Sequence, residues 1–348
     1  MLVGRQPTDE SSFSCGANRQ ANWLERQIGQ KPAYIKTDDL VLIFPGVNME
    51  TKKVVSVSLG SYKRDKAVDI TLLGQQVRLE RIGTNGDEKE AARLFATLDG
   101  KVDALGVGGI ALHINLPWKS YPLRAGIKLV KEVKKTPYTD GTGIQTMLES
   151  RVMQYVLSNL SGQIPVKKAF LVEGISRYGM INSFFDTGFD CVFGDLMFAL
   201  GIPLAIKSSK GVNLAAKMLL PIVVHLPISM LYSTGESQDV VVPKYTKYYK
   251  EASVIAGDWL YIKKHLPEDM EGKIIVTNTT TEEDVEFMRS RGIAYLVTTT
   301  PVFAGRSFGT NAFEAALTAA ADLGRTLTFS EISSIIEKEN IKPQIRKL

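Results

Sequence analysis

Apolar residues along this chain come in short runs, and their spacing alternates between that of a strand and that of a helix. Runs at 54–59 and 102–107 read as buried strands. The runs at 68–73 and 77–82 flank Gly74-Gln75-Gln76, which predicts a hairpin and not a crossover helix. From Asp87, residues Ala91, Ala92, Leu94, Phe95 and Leu98 fall on one helical face, with Gly100 placed as the C-cap. A basic helix is expected at 123–135, with Lys128, Lys131, Lys134 and Lys135 on its wet side. A short strand at 136–139 follows. Asp140-Gly141-Thr142-Gly143 then turns the chain into a long helix ending near Leu160. After a hinge at 162–165, strands are predicted at 168–172, 190–193, 253–256, 273–277 and 294–298, with helices between most of them.

This rhythm predicts an α/β protein of two α/β domains, at 49–163 and 164–348. The second is expected to hold a Rossmann-like, mostly parallel sheet with helices on both faces. Residues 1–48 are rich in Ser, Gln, Asn and Gly and lack a sustained period, so a loosely ordered arm is expected there, with 40–44 able to add an edge strand. Met49 opens a stretch that reads like a working start of its own.

At 348 residues, 44% hydrophobic and 23% charged, the chain has the balance of a globular protein, which excludes disorder and low complexity for its bulk. The net charge of +5 is interspersed, which suits a small anionic metabolite and argues against a nucleic-acid partner. Cys15 and Cys191 cannot build a disulfide framework, and three histidines far apart offer few metal ligands. The apolar run at 218–235 contains Pro221, Pro227 and His225, so a buried helix is expected there and no membrane span. A cytoplasmic, metal-free homo-oligomer, a dimer by base rate, is the resulting expectation.

Ligands of parallel α/β sheets sit beyond the carboxyl ends of the strands, so the residues that follow each strand are the candidates. After the strand at 168–172, Gly174 and Gly179 bracket Ser176 and Arg177 in a turn whose amides and guanidinium suit a phosphate. Asp195 follows about twenty residues later, where a nucleotide-binding unit places the acid for a ribose diol. With Asn278 and Thr299 these residues form the expected cofactor site. Ser58, Ser61, Asp258, Arg306, Ser307 and Thr310 are the expected substrate contacts. Lys63 and Asp140, with Asp65 in reserve, are expected to pair across the cleft as a proton-transfer device, the carboxylate orienting the ammonium. Thr281 to Asp284 has the spacing of an N-cap, and Cys191, inside an apolar strand, reads as a packed thiol. The chain carries neither a Gly-x-Ser-x-Gly elbow nor a Walker-type loop.

The strings VVSVSLGS (54–61), FGDLMFALGIP (193–203), IVTNTTTEED (275–284), LVTTTP (296–301) and GRSFGTN (305–311) resemble a bacterial family commonly labelled quinate 5-dehydrogenase. The resemblance runs from about Met49 to the C-terminus. It implies NAD- or NADP-dependent oxidation of a hydroxyl on a cyclic polyhydroxy acid. The Gly-Ala-Gly-Gly and Asn-Val-Thr-x-Pro-x-Lys strings of shikimate and quinate dehydrogenases are not found, so no catalytic residue is carried over by motif. Two other readings stay open: a transferase or lyase using a nucleotide-like cofactor such as S-adenosylmethionine, and a non-catalytic two-domain sensor of a small anion.

Overall fold

A computed structural model describes residues 34–37, 40–43, 50–228, 241–300, 302–303, 306–307 and 309–348. The chain divides into two compact units, Met1–Glu50 and Thr51–Leu348. In the first, β1 (Tyr34–Thr37) and β2 (Leu40–Ile43) form an antiparallel pair, which places residues 40–43 of the expected edge strand in a strand; the remainder of the expected arm lies outside the described residues.

The second unit opens with β3 (Lys52–Ser58), β4 (Lys66–Leu72), β5 (Gln75–Gly83) and α1 (Glu88–Leu98). It continues through β6 (Ala104–Gly108), the hairpin of β7 (His113–Leu116) and β8 (Lys119–Pro122), α2 (Arg124–Leu129), β9 (Tyr138–Thr139), α3 (Thr142–Glu149) and α4 (Val152–Leu160). Strands β3, β5, β6 and β9 run parallel, with β4 antiparallel at the edge, in the order β4-β5-β3-β6-β9. The predicted hairpin is β4–β5, but its turn is Leu73-Gly74, both with positive φ (51° and 79°), as a two-residue turn between twisted strands requires.

Two helices differ from expectation, for local reasons. The basic segment is helical only to Leu129. Beyond it the Asp99 carboxylate accepts the amides of Lys134, Lys135 and Thr136, offering the backbone an alternative to helix. Those bonds, that of Thr136 foremost, hold the Asp99 carboxyl down at about 2. The long helix breaks between α3 and α4, where the Ser150 hydroxyl donates back to the Met147 carbonyl and Ser183 accepts the Met153 amide.

The remaining chain supplies β10 (Lys168–Leu171), α5 (Tyr178–Asp186), β11 (Asp190–Phe193), α6 (Asp195–Ala199), α7 (Ser209–Val223), α8 (Thr246–Glu251), β12 (Val254–Ala256) and α9 (Trp259–His265). Next come β13 (Ile274–Thr277), α10 (Glu282–Ser290), β14 (Tyr295–Thr298), β15 (Val302–Phe303), β16 (Arg306–Ser307), α11 (Thr310–Ala321), α12 (Phe329–Lys338) and β17 (Gln344–Lys347). The sheet order is β11-β10-β12-β13-β14-β17, all parallel except β17. Alternate residues feed opposite layers. Phe170, Ile255 and Ile275 pack with Trp259 and Met288, whereas Leu171, Ala256 and Val276 share a core with Met180 and Phe184. This is the mostly parallel sheet with helices on both faces that the pattern predicts. Cys191 is packed in it, and burial pushes its thiol up to about 12. Among the described residues no helix is long and apolar enough to cross a membrane.

Helix α11 does not serve the sheet it follows. Its alanines bury against Val54, Leu79 and Ala104 of the first sheet, where small side chains allow close approach. Gly141 makes this contact possible. It has φ +84°, and a Cβ there would fall 2.2 Å from the Asn311 nitrogen. Gly141→Ala is therefore expected to cost about 2–3 kcal/mol, combining left-handed strain with a clash against backbone, read as a lower guanidinium midpoint at unchanged slope. A slope change instead would mean that the variant alters the compactness of the native or denatured state.

Candidate functional site

In the second sheet the chain runs first to β11 on one side of β10 and then crosses to β12 on the other. The topological switch point is therefore the gap between the carboxyl ends of β10 and β12. Four polar side chains converge there. Glu173 leaves β10, Arg177 ends the short turn before α5, Asp258 follows β12 and Asn278 follows β13. The guanidinium of Arg177, 5% exposed, donates from Nε to Glu173 Oε1 (2.6 Å), from Nη2 to Asp258 Oδ2 (3.2 Å) and from Nη1 to Glu149 Oε1. Asn278 Nδ2 reaches Asp258 Oδ2 at 3.4 Å, while Asp258 Oδ1 caps α9 through the Leu260 amide. Three carboxylates thus share one guanidinium. Glu149 is fully buried, and burial pushes its carboxyl up to about 7 against the pull of Arg177, with the Glu173 charge adding to the rise. The Arg177 guanidinium is held more firmly protonated than usual: its three carboxylates outweigh the opposing effect of burial.

Asp195 stands at the neighbouring strand end, as the first residue of α6, and does something the spacing does not reveal. Its Oδ1 accepts the amides of Gly174 (3.0 Å) and Ile175 (2.8 Å), and its Oδ2 that of Gly174 (3.1 Å). The donors expected to face a phosphate are thereby satisfied from within the chain. Burial nevertheless pushes this carboxyl up to about 6, with the Ile175 and Gly174 amides opposing. Gly174 is required by proximity, since a Cβ would lie 2.8 Å from the Phe193 ring. Gly179 serves helix packing, a Cβ there falling 2.7 Å from the Thr146 carbonyl oxygen. Ser176 is exposed on the turn. Thr299 is fully buried with no partner for its hydroxyl among the described residues, and Thr300 donates to the Asn278 carbonyl at 2.6 Å. Thr281 and Asp284 form the expected capping box of α10.

Across from these residues, the turn after β3 approaches α10, with Arg64 Nη2 3.9 Å from Asp284 Oδ2. The expected proton-transfer pair is not assembled there. Asp140 Oδ2 accepts the amides of Leu112 (2.6 Å) and His113 (3.4 Å), and its Oδ1 that of Thr142 (2.9 Å). Asp65 pairs with Arg81 (2.6 Å) and accepts the Gly83 amide (2.7 Å). Lys63 is exposed and joins neither carboxylate among the described residues. Backbone amides win because they are already fixed, whereas a long exposed lysine loses rotamer freedom in pairing. Ser61 caps its own turn through the Lys63 amide (3.2 Å), and Ser58 Oγ accepts the Gly60 amide (3.1 Å). Thr310 is buried at the start of α11, where Gly141 packs on it. The side chains of Arg306 and Ser307 lie outside the described residues. A shallow groove lined by Lys53, Asp69, Arg78 and Glu80 sits at the opposite, amino-terminal ends of the first sheet.

Sequence reasoning missed Glu149 and Glu173. Glu149 belongs to the polar pattern of a helix far from β10 in the chain, and no spacing marks it. Glu173 carried a usable signal, as a charged residue directly beyond a buried strand.

Several comparisons bear on this architecture. Residues 53–140 match the family described as Domain of unknown function (DUF8753), and residues 143–348 that described as Domain of unknown function (DUF8754). No curated protein matches the chain. Solved structures similar to it include a malic enzyme of Entamoeba histolytica, at 11% identity over 99% of this chain and 73% of that one, TM-score 0.34. Shikimate dehydrogenase from Aquifex aeolicus shows 13% identity over 84% and 99%, TM-score 0.31. GanP, a glucose-galactose binding protein from Geobacillus stearothermophilus, shows 11% over 86% and 98%, TM-score 0.32. These are likenesses of α/β fold. The family match covering 143–348 spans more than half of the chain, and the protein belongs to the DUF8754 family.

Proposed function

We propose that this chain is an oxidoreductase that acts on a hydroxyl of a small polyhydroxy carboxylic acid, of the quinate or shikimate kind, with NAD or NADP as redox partner. The observation that carries the reading is the switch point of the second sheet. There the partly exposed carboxylates of Glu173 and Asp258, with Asn278, present acceptors and an amide of the kind that binds sugar-like hydroxyls. Fit to the cofactor is divided. These groups suit the hydroxyls of a ribose, but the amides of Gly174 and Ile175 are taken by Asp195 and do not suit a pyrophosphate.

Thermal-shift titration with NAD, NADP, S-adenosylmethionine and quinate tests the reading. A ligand present at one hundred times its Kd adds about 2.7 kcal/mol of apparent stability. NAD or NADP is expected to raise the melting temperature, and Glu173→Gln to weaken that binding about tenfold by removing a charge-assisted hydrogen bond. A folded sample that responds to neither nicotinamide nucleotide sinks the proposal, and a response to S-adenosylmethionine alone replaces it with a transferase or lyase. A second reading draws on Asp195 itself: a turn closed by its own carboxylate fits a sensor that closes on a hydroxylated metabolite without any dinucleotide. That protein would respond to quinate-like acids only.

A further inference from the structure

Helix α7 is apolar on two opposite faces. Val212, Ala216 and Leu220 are buried, while Leu214, Met218 and Ile222 are 60%, 65% and 64% exposed. At about 100° per residue the exposed trio forms one stripe, and Lys210 and Lys217 border it along one side within an arc of about 140°. The segment leading into the helix exposes Leu200, Ile202 and Leu204, followed by Lys207. Trp118, from the turn between β7 and β8, stands beside the helix with the Lys217 ammonium 5.1 Å from its ring. No acidic residue occurs between Asp195 and Glu236.

We propose that this face of α7 docks on an anionic lipid surface. Charge complementarity selects that occupant. A second copy meeting the face in symmetric fashion would set the lysines of α7 against each other with no carboxylate on either helix to answer them. An anionic bilayer offers what the face lacks: acyl chains for Leu214, Met218 and Ile222, negative headgroups for Lys207, Lys210 and Lys217, and an interfacial zone suited to Trp118. The helix would lie in the plane of the interface, its other face still packed on the protein.

Vesicle flotation of the full chain tests it, with phosphatidylcholine alone against phosphatidylcholine holding about one third phosphatidylglycerol. The chain is expected to float with the anionic vesicles at low salt and not with the neutral ones. The pair Lys210→Gln and Lys217→Gln should lower the partition coefficient about 25-fold, at roughly fivefold per basic residue. The triple variant Leu214→Gln, Met218→Gln, Ile222→Gln should abolish flotation while circular dichroism and melting stay as in the parent, because these side chains are exposed. Absence of flotation, or flotation that ignores both sets of substitutions, overturns the proposal. Sedimentation velocity decides the alternative occupant: a dimer that the triple variant dissolves, without vesicle binding by the parent, assigns the face to a second copy.

Discussion

Replacing Arg177 with Met is expected to destabilise the protein by about 3–5 kcal/mol, because one buried guanidinium compensates three carboxylates that pair with no other cation among the described residues. Glu149, with no exposed surface, bears the largest share of that loss. Taking its partner away leaves a charge that must either stay ionised without compensation or take up a proton. Glu173 and Asp258 keep some contact with solvent and relax more easily. For a unit of this size the loss corresponds to a fall in Tm of roughly 5–10 °C. The variant alone could fail for steric reasons, so the cycle with Glu149→Gln supplies the decisive number. Glu149→Gln in the Arg177→Met background should restore most of the lost stability, giving a coupling energy of about 2 kcal/mol or more. Additive effects of the two substitutions would show that the ion pair does not hold the turn between β10 and α5.

That turn also shows which parts of the molecule the sequence reveals and which it hides. Strands β10 to β14 are legible because a buried parallel strand is a local signal, a short apolar run closed by a polar or glycine turn. The β4–β5 hairpin is legible on the same ground. The β7–β8 hairpin and the antiparallel β17 are not, since His113 and Asn115 in β7, and Gln344, Arg346 and Lys347 in β17, interrupt any run. Asp195 stands where a ribose-binding acid is expected, and only in the folded chain do its oxygens meet the amides of Gly174 and Ile175. The same competition removes Asp140 and Asp65 from any partnership with Lys63. In each case a short carboxylate near a fixed amide bonds locally, and spacing in the chain carries no record of that geometry. Glu314 belongs with them: it sits on α11, distant in sequence from the β9–α3 turn that it grips.

Stability is expected to fall as the pH rises from about 4.5 to 7, opposite to what paired surface carboxylates produce. Glu314 is buried between β9 and α3, accepting the Thr139 hydroxyl and the Ile144 amide (2.6 Å). Burial, against those two bonds, pushes its carboxyl from 4.5 up to about 7. Glu149 moves by the same mechanism to about 7, and Asp195 from 3.8 to about 6. A carboxyl whose folded pKa is raised binds its proton more tightly when folded. The stability it confers is complete below the unfolded pKa and is lost as the pH climbs through the folded one. At about 1.4 kcal/mol per pH unit, Glu314 alone accounts for about 3 kcal/mol between pH 4.5 and pH 7. Asp99 and Glu331, both held down at about 2, act in the opposite direction as the pH falls below about 4.5, and His265, held below its usual value by burial, opposes the slope near pH 6 without matching three buried carboxyls. Urea unfolding at a series of pH values should record this slope. Glu314→Gln keeps one acceptor oxygen for the Ile144 amide, presents its NH2 to the Thr139 hydroxyl oxygen as a protonated carboxyl would present its O–H, and cannot ionise, so it should match the parent at pH 5 and exceed it by about 3 kcal/mol at pH 8. Superimposable profiles for the two proteins would mean that Glu314 is solvated or already ionised throughout the range, and that α11 is not sealed against the first sheet at this carboxyl.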